Sequence, residues 1–252
     1  MTNELLDLRR KIDQCDESLL KLFQERLNIV AHVAKYKQEH SMPIFDAQRE
    51  EEILRRYEGL EREFFRSLMA LSRREQSKIL FPYNIVLAGF MGVGKSSVGR
   101  VLAGHLGRDF LDLDEEIEKD IGMTISEFFS KEGEQAFREK EKELIRKFSS
   151  QSELVLSVGG GAVLNRENVA ELKKRGRLIL LTADVDTIFE RLKDDTTRPV
   201  LGIPVTKAKI EELMDKRGEA YERAAQIIVS TDGLSQDGVV NRIIQSLFQF
   251  KN

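Results

Sequence analysis

An apolar stripe stepping by three and four runs through Leu5, Leu8, Ile12, Cys15, Leu19, Leu22, Ile29 and Val33. That period is helical, and it predicts one helix from about Asn3 to His40. At about 1.5 Å per residue such a helix spans roughly 55 Å. It cannot bury its stripe against itself, so it requires partner helices from the same chain or from another. Pro43 in S-M-P-I-F-D breaks it. A short helix is expected from about Asp46, and a third from about Leu60 to Leu80.

The chain changes character near residue 82. Gly59 is the only glycine before that point. Beyond it glycines are frequent, and short apolar runs at 84–88, 109–112, 154–158, 177–182 and 226–230 read as strands with helical segments between them. Thr124 followed by Glu127 is a capping box and marks a helix start. Alternation of this kind predicts a parallel sheet covered by helices on both faces. The expected organisation is therefore multi-domain: an all-α region over 1–82 and an α/β region over 83–252.

The 252 residues carry a formal net charge of -3, with no basic block and no aromatic-interleaved basic patch, so nucleic acid is not an expected partner. The charged start M-T-N-E-L-L-D-L-R-R lacks the apolar core of a secretory signal. No run of about 18 apolar residues appears, which argues against a membrane span. One cysteine and three scattered histidines suggest neither a disulfide nor a zinc site. A cytoplasmic location is expected.

G-F-M-G-V-G-K-S-S, Gly89 to Ser97, fits the G-x-x-x-x-G-K-[ST] pattern between a predicted strand and a predicted helix. Its glycines let backbone N–H groups turn toward phosphate oxygens, and the helix N-terminus adds partial positive charge. Gly92, Val93, Gly94, Lys95, Ser96 and Ser97 are the candidate nucleotide contacts. Lys95 would reach the outer phosphates, and the Ser96 hydroxyl would help hold Mg²⁺. F-L-D-L-D places Asp112 and Asp114 two apart, read as one side of the strand end. One carboxylate could serve Mg²⁺ and the other could accept a proton from an attacking hydroxyl. A helix N-cap is the competing explanation. Gly159, Gly160 and Gly161 follow the third strand and permit close approach of a small ligand. Arg138 has Glu141 three residues on, Arg198 precedes a proline in a polar loop, and Arg217 lies one helical turn from Tyr221. Each arginine alone reads as a surface ion pair; their coincidence with the phosphate loop carries the weight.

Residues 84–249 resemble the shikimate kinases, through G-F-M-G-V-G-K-S-S, F-L-D-L-D, G-E-Q-A-F-R-E-K-E, G-G-G-A, R-P-V-L and R-G-E-A-Y-E-R-A-A in order. The resemblance implies a five-stranded phosphate-loop kinase fold with a lid, ATP as co-substrate and shikimate as acceptor. It implies that Asp112 joins Ser96 in the Mg²⁺ site. Asp114 would bind the shikimate hydroxyls and act as base, and Arg138, Arg217 and Gly159–Gly161 would hold shikimate. Arg198 would be the lid arginine, and Arg191 would stack on adenine. The loop S-T-D-G-L-S-Q-D-G departs from the family in having no proline for the adenine.

In the helical region, the next step of the stripe after Leu22 is occupied by Arg26. Lys37 is eleven residues on and lies within about 20° of the same direction. The two are roughly 16 Å apart along the axis and could straddle a small dianion. Arg9 is about 25 Å away and turned by about 100°, so it could reach only the equivalent pocket of an antiparallel second chain. On the third helix the stripe Phe65, Leu68, Ser72, Gln76, Ile79 is interrupted by two hydrogen-bonding groups. Asp46, Arg49 and Glu50 crowd one short segment. Cations and polar groups on packing seams point to a pocket inside a helical bundle.

Residues 3–80 resemble the all-helical chorismate mutases, whose fold is an intertwined dimer of three-helix chains. The resemblance implies that Arg26 and Arg9 of a second protomer grip the two carboxylates. Lys37 and Gln76 would hydrogen-bond the ether oxygen, Glu50 would take the ring hydroxyl, and Arg49, Asp46 and Ser72 would complete the site. No cofactor is implied for the mutase. The segment Y-E-G-L-E-R-E-F-F before the third helix is shorter than in many relatives. The expectation is a bifunctional enzyme of aromatic amino-acid biosynthesis, homodimeric through its helices. The alternatives are a helical module that only dimerises or senses an effector, and a kinase for another small molecule.

Overall fold

The computed structural model describes residues 3–194 and 204–250. It divides into two compact units, Met1–Leu80 and Phe81–Asn252.

The first unit is three helices: α1 (Asn3–Glu39), α2 (Ala47–Leu54) and α3 (Gly59–Leu80). α1 packs along α3, and α2 packs on α3. Asp46 caps α2, its carboxylate accepting from the Arg49 N–H at 2.9 Å. Such a cap contributes about 1 kcal/mol. Contact with α1 falls late in its length, where Val30 and Ala34 are its two buried residues. Leu8, Ile12, Leu19, Leu22 and Ile29 are left 51–64 % exposed. The stripe predicted from sequence is thus real, and most of it is uncovered within one chain.

The second unit is a five-stranded parallel sheet in the order β2-β3-β1-β4-β5. The strands are β1 (Asn84–Gly89), β2 (Asp109–Asp112), β3 (Leu154–Ser157), β4 (Gly176–Thr182) and β5 (Ile227–Ser230). Between and after them lie α4 (Lys95–Leu106), α5 (Leu113–Ile121), α6 (Ile125–Ser149), α7 (Arg166–Lys174), α8 (Val185–Leu192), α9 (Lys207–Ala224) and α10 (Gln236–Gln249). β1 is buried at every residue, as a strand covered on both faces must be. The chain leaves β1 toward one side of the sheet and later crosses to the other, so the loops after β1 and β3 open beside each other. Ligands of open parallel sheets bind at such a switch point, beyond the carboxyl ends of the strands. The capping box opening α6 is formed, with Thr124 Oγ1 accepting from Glu127 N–H at 3.2 Å and Glu127 Oε2 accepting from Thr124 N–H at 2.9 Å.

One expectation is corrected. Asp112 and Asp114 do not share the side of a strand. β2 ends at Asp112, which is the N-cap of α5, and Asp114 lies in the first turn of that helix. Asp112 accepts from the Asp114 N–H at 3.1 Å, so the cap itself sets the spacing of the two carboxylates.

Candidate active sites

The phosphate loop joins β1 to α4. Gly94 is the N-cap of α4 at φ 93, where a side chain would be strained. Gly89 is required for a different reason: a Cβ there would lie 2.3 Å from the Leu181 carbonyl oxygen. Val93 is buried, so what it offers a ligand is backbone. Lys95 Nζ donates to the carbonyls of Gly89 at 3.0 Å and Phe90 at 3.1 Å, which holds the ammonium across the loop. Ser97 follows Ser96 on the exposed side of α4's first turn. Ser96 Oγ donates to Asp112 Oδ2 at 2.5 Å. These two hard oxygen ligands fit a Mg²⁺ that keeps waters and phosphate oxygens as its remaining ligands. Among the described residues no larger group of metal-binding side chains occurs. Arg191, on α8, donates to the Gly92 carbonyl at 2.9 Å and contacts Thr231 Oγ1 at 3.5 Å, tying the phosphate loop to the loop after β5. That loop is organised by Asp232, which accepts from the Asp184 N–H at 3.0 Å and the Ser230 hydroxyl at 3.0 Å.

The glycine turn after β3 is the meeting point of the remaining groups. A Cβ on Gly159 would lie 2.7 Å from Asp114 Oδ1, and one on Gly161 would lie 2.7 Å from Arg138 Nη1. A Cβ on Gly160 would lie 3.2 Å from the Tyr221 hydroxyl and 3.8 Å from Arg217 Nη1. Asp114, Arg138 and Arg217, from α5, α6 and α9, therefore converge on one three-residue turn. Arg138 is held by Glu141, whose two oxygens each accept from Nη1 at 3.1 Å. Burial pushes the Glu141 carboxyl above its ordinary value; the charge and hydrogen bonds of Arg138 oppose that push, and Asp114 adds to it. Arg217 also lies over the Phe90 ring at 5.9 Å. Arg198 falls outside the described residues.

In the helical unit, Arg26 of α1 donates to Ser72 Oγ of α3. Ser72 Oγ in turn donates to the Leu68 carbonyl at 2.7 Å. Gln76 is 7 % exposed; its Nε2 donates to the Ser72 carbonyl at 3.2 Å and its Oε1 has no partner among the described residues. The buried positions of Ser72 and Gln76 match the predicted register of the third helix. Lys37 Nζ donates to the Ile44 carbonyl at 2.6 Å. Burial holds the Lys37 ammonium below its ordinary value, while Asp46 and Glu50 pull it back up. Burial likewise lowers Arg26. Two groups result: Arg26 of α1 with Ser72 of α3, whose carbonyl also holds Gln76, and Lys37 of α1 with the charges of Asp46 and Glu50 at the start of α2. Arg49 is not gathered with them, since its side chain is exposed and reaches Glu52 at 3.4 Å. Arg9 stands on the exposed early part of α1. Sequence reasoning missed Arg73, which forms an ion pair with Glu50 and lies over the Phe45 ring at 5.2 Å. Its signal was its place beside Ser72 on α3, which alone does not distinguish it from a surface arginine.

The family model described as shikimate kinase matches residues 91–248. A shikimate kinase of Thermodesulfovibrio yellowstonii is 46 % identical over 169 residues, covering 67 % of this chain and 97 % of that protein. The chain belongs to the shikimate kinase family. A shikimate kinase of Pelotomaculum thermopropionicum is 46 % identical over 164 residues, covering 65 % of this chain and 95 % of the relative. Among solved structures, shikimate kinase from Acinetobacter baumannii in complex with shikimate is similar at a TM-score of 0.65 and 37 % identity, over 69 % of this chain and 98 % of that one. The helical unit is matched by the family model described as chorismate mutase type II, over residues 8–77. The chain therefore carries a shikimate kinase domain and a chorismate mutase domain, two enzymes of aromatic biosynthesis on one polypeptide.

Proposed function

We propose that residues 83–252 transfer the γ-phosphoryl group of ATP to the 3-hydroxyl of shikimate, and that residues 1–82 rearrange chorismate to prephenate. The observation that carries the kinase reading is the convergence of Asp114, Arg138 and Arg217 on the Gly159–Gly161 turn beside the phosphate loop. Two guanidinium groups suit the carboxylate of shikimate, and Asp114 suits its hydroxyls. Asp114 accepts the proton of the attacking hydroxyl as its oxygen bonds phosphorus and the bond to ADP breaks. Lys95 stabilises charge on the transferred group, and Arg191 and the backbone of 92–97 position the nucleotide. Ser96 and Asp112 would hold Mg²⁺, which supplies charge neutralisation at the phosphates when bound with ATP. Arg198 is assigned to the lid on its R-P-V-L motif.

For the mutase, Arg26 and the partner protomer's copy of Arg9 would grip the two carboxylates of chorismate. Gln76 has two N–H donors; one is used on the Ser72 carbonyl, and the second is available to the ether oxygen with Lys37. Asp46, Glu50 and Ser72 complete the pocket. The rearrangement needs no nucleophile: selecting the reactive conformer and stabilising charge on the breaking C–O bond is sufficient.

A homodimer built on the uncovered stripe of α1 follows from this reading, as does a cytoplasmic setting, in which no described helix is long and apolar enough to cross a membrane. Sedimentation of the full chain is expected to give the mass of a dimer. A monomer would leave Arg9 without a site and remove the mutase assignment. Lys37 must be protonated to donate, and burial lowers its affinity for the proton. Mutase kcat/KM should therefore fall as pH rises through a value below the ordinary lysine 10.5, and Lys37→Arg should abolish that alkaline limb in its residual activity. The whole reading is tested on the full-length protein by ADP release with shikimate and by loss of chorismate absorbance. ADP release with another small-molecule alcohol but none with shikimate, or chorismate binding without turnover, would overturn the corresponding half.

A further inference from the structure

Tyr221 is buried on α9, one turn beyond Arg217. Its hydroxyl donates to the Gly160 carbonyl at 2.9 Å. The Arg217 guanidinium lies nearby, and it lowers the phenol's affinity for its proton against the larger upward push of burial. A Cβ on Gly160 would lie 3.2 Å from the hydroxyl and 3.8 Å from Arg217 Nη1, so both groups stand against the same glycine. A hydroxyl has one hydrogen to give and two lone pairs to receive. Here the hydrogen goes to the Gly160 carbonyl. Spacing of four residues on one helix makes the Arg217 contact local, whereas the Gly160 contact joins α9 to the loop after β3 across 61 residues of sequence.

We propose that Tyr221 is a positioning residue for the acceptor substrate: it pins α9 to the Gly159–Gly161 turn, so that Arg217, one helical turn earlier, meets the substrate carboxylate already placed beside that turn. This rests on the kinase reading above. Arginine has a long side chain with many rotamers, and fixing it before binding removes an ordering cost that otherwise falls on substrate affinity. Phenylalanine would fill the same space but would leave the Gly160 carbonyl without its donor and α9 without that tie to the turn beside Arg217.

The test uses the full-length chain. Tyr221→Phe is expected to lower kcat/KM for shikimate about tenfold, carried mainly by KM, while KM for ATP stays within about twofold. In an Arg217→Ala background the same change should add no further loss, because the group it positions is gone. A merely structural tyrosine would raise both Michaelis constants together or give additive losses, and either result overturns the proposal, as does an unchanged shikimate KM. Should Tyr221→Phe fold poorly, 3-fluorotyrosine placed at position 221 keeps the side chain nearly isosteric. Its fluorine resonance should then move on saturation with shikimate alone, and a resonance that responds only to ATP overturns the proposal. Wild-type protein that releases no ADP with shikimate would instead defeat the kinase reading itself, independently of Tyr221.

Discussion

Lys95→Met leaves shikimate phosphorylation about two to three orders of magnitude below wild type, while mutase activity of the same molecules is unchanged. The ammonium is the one positive side chain on the phosphate loop itself, and it spans the loop through the Gly89 and Phe90 carbonyls at 3.0 and 3.1 Å. Removing a preorganised donor aimed at developing transition-state charge costs on this scale. Methionine preserves the length and the apolar stem, so packing is retained. Loss of the two hydrogen bonds costs about 1–2 kcal/mol of stability, small beside the catalytic loss. A coupled ADP-release assay with parallel thermal melts checks the result. Turnover within tenfold of wild type would remove Lys95 from the catalytic machinery.

Arg26→Leu abolishes mutase activity, by about two to three orders of magnitude, yet preserves or raises the stability of the helical unit. Losing one partner of a desolvated charge pair with a substrate carboxylate has this magnitude. The stability side runs the other way. Arg26 is a half-buried cation whose ionisation is opposed by desolvation, on a stripe where the neighbouring positions are apolar. Leucine has a similar helix propensity and continues the stripe. Ser72 keeps the Leu68 carbonyl as partner at 2.7 Å. Loss of chorismate absorbance measures the activity, and kinase turnover serves as the internal control. An unfolded helical unit would show instead that Arg26 is a structural member of the seam.

Much of the molecule could be read before any coordinates. The predicted helix from about Asn3 to His40 is α1 (Asn3–Glu39), because a period of three and four over that many residues has no other regular solution. Strands predicted at 84–88, 109–112, 154–158, 177–182 and 226–230 fall on β1 to β5 with end shifts of a residue. The phosphate loop was legible because its chemistry is local: glycines, lysine and serine act within one turn of chain. The misplacement of Asp114 had an equally local cause. F-L-D-L-D alternates like a strand, but the Asp112 side chain caps a helix and ends the strand at itself.

The partners of the arginines could not be read this way. Arg138 and Arg217 lie 79 residues apart, the difference of their numbers, and nothing in either segment says that both face the Gly159–Gly161 turn. The sheet order places those loops side by side, and strand order is decided by long-range packing. Arg49 and Arg73 make the same point within the helical unit: Arg49, expected in the pocket, is exposed beside Glu52, and Arg73 is the arginine that holds Glu50.

The sequence by itself determined which segments are helix and strand, where the phosphate loop lies, and that α1 carries more apolar surface than one chain can cover. Those properties are set by period, turn chemistry and spacing within a few residues. Only the tertiary structure decided which charges meet. A side chain's direction across the sheet or bundle depends on the register of elements far apart in sequence, and on burial, which a local pattern does not contain.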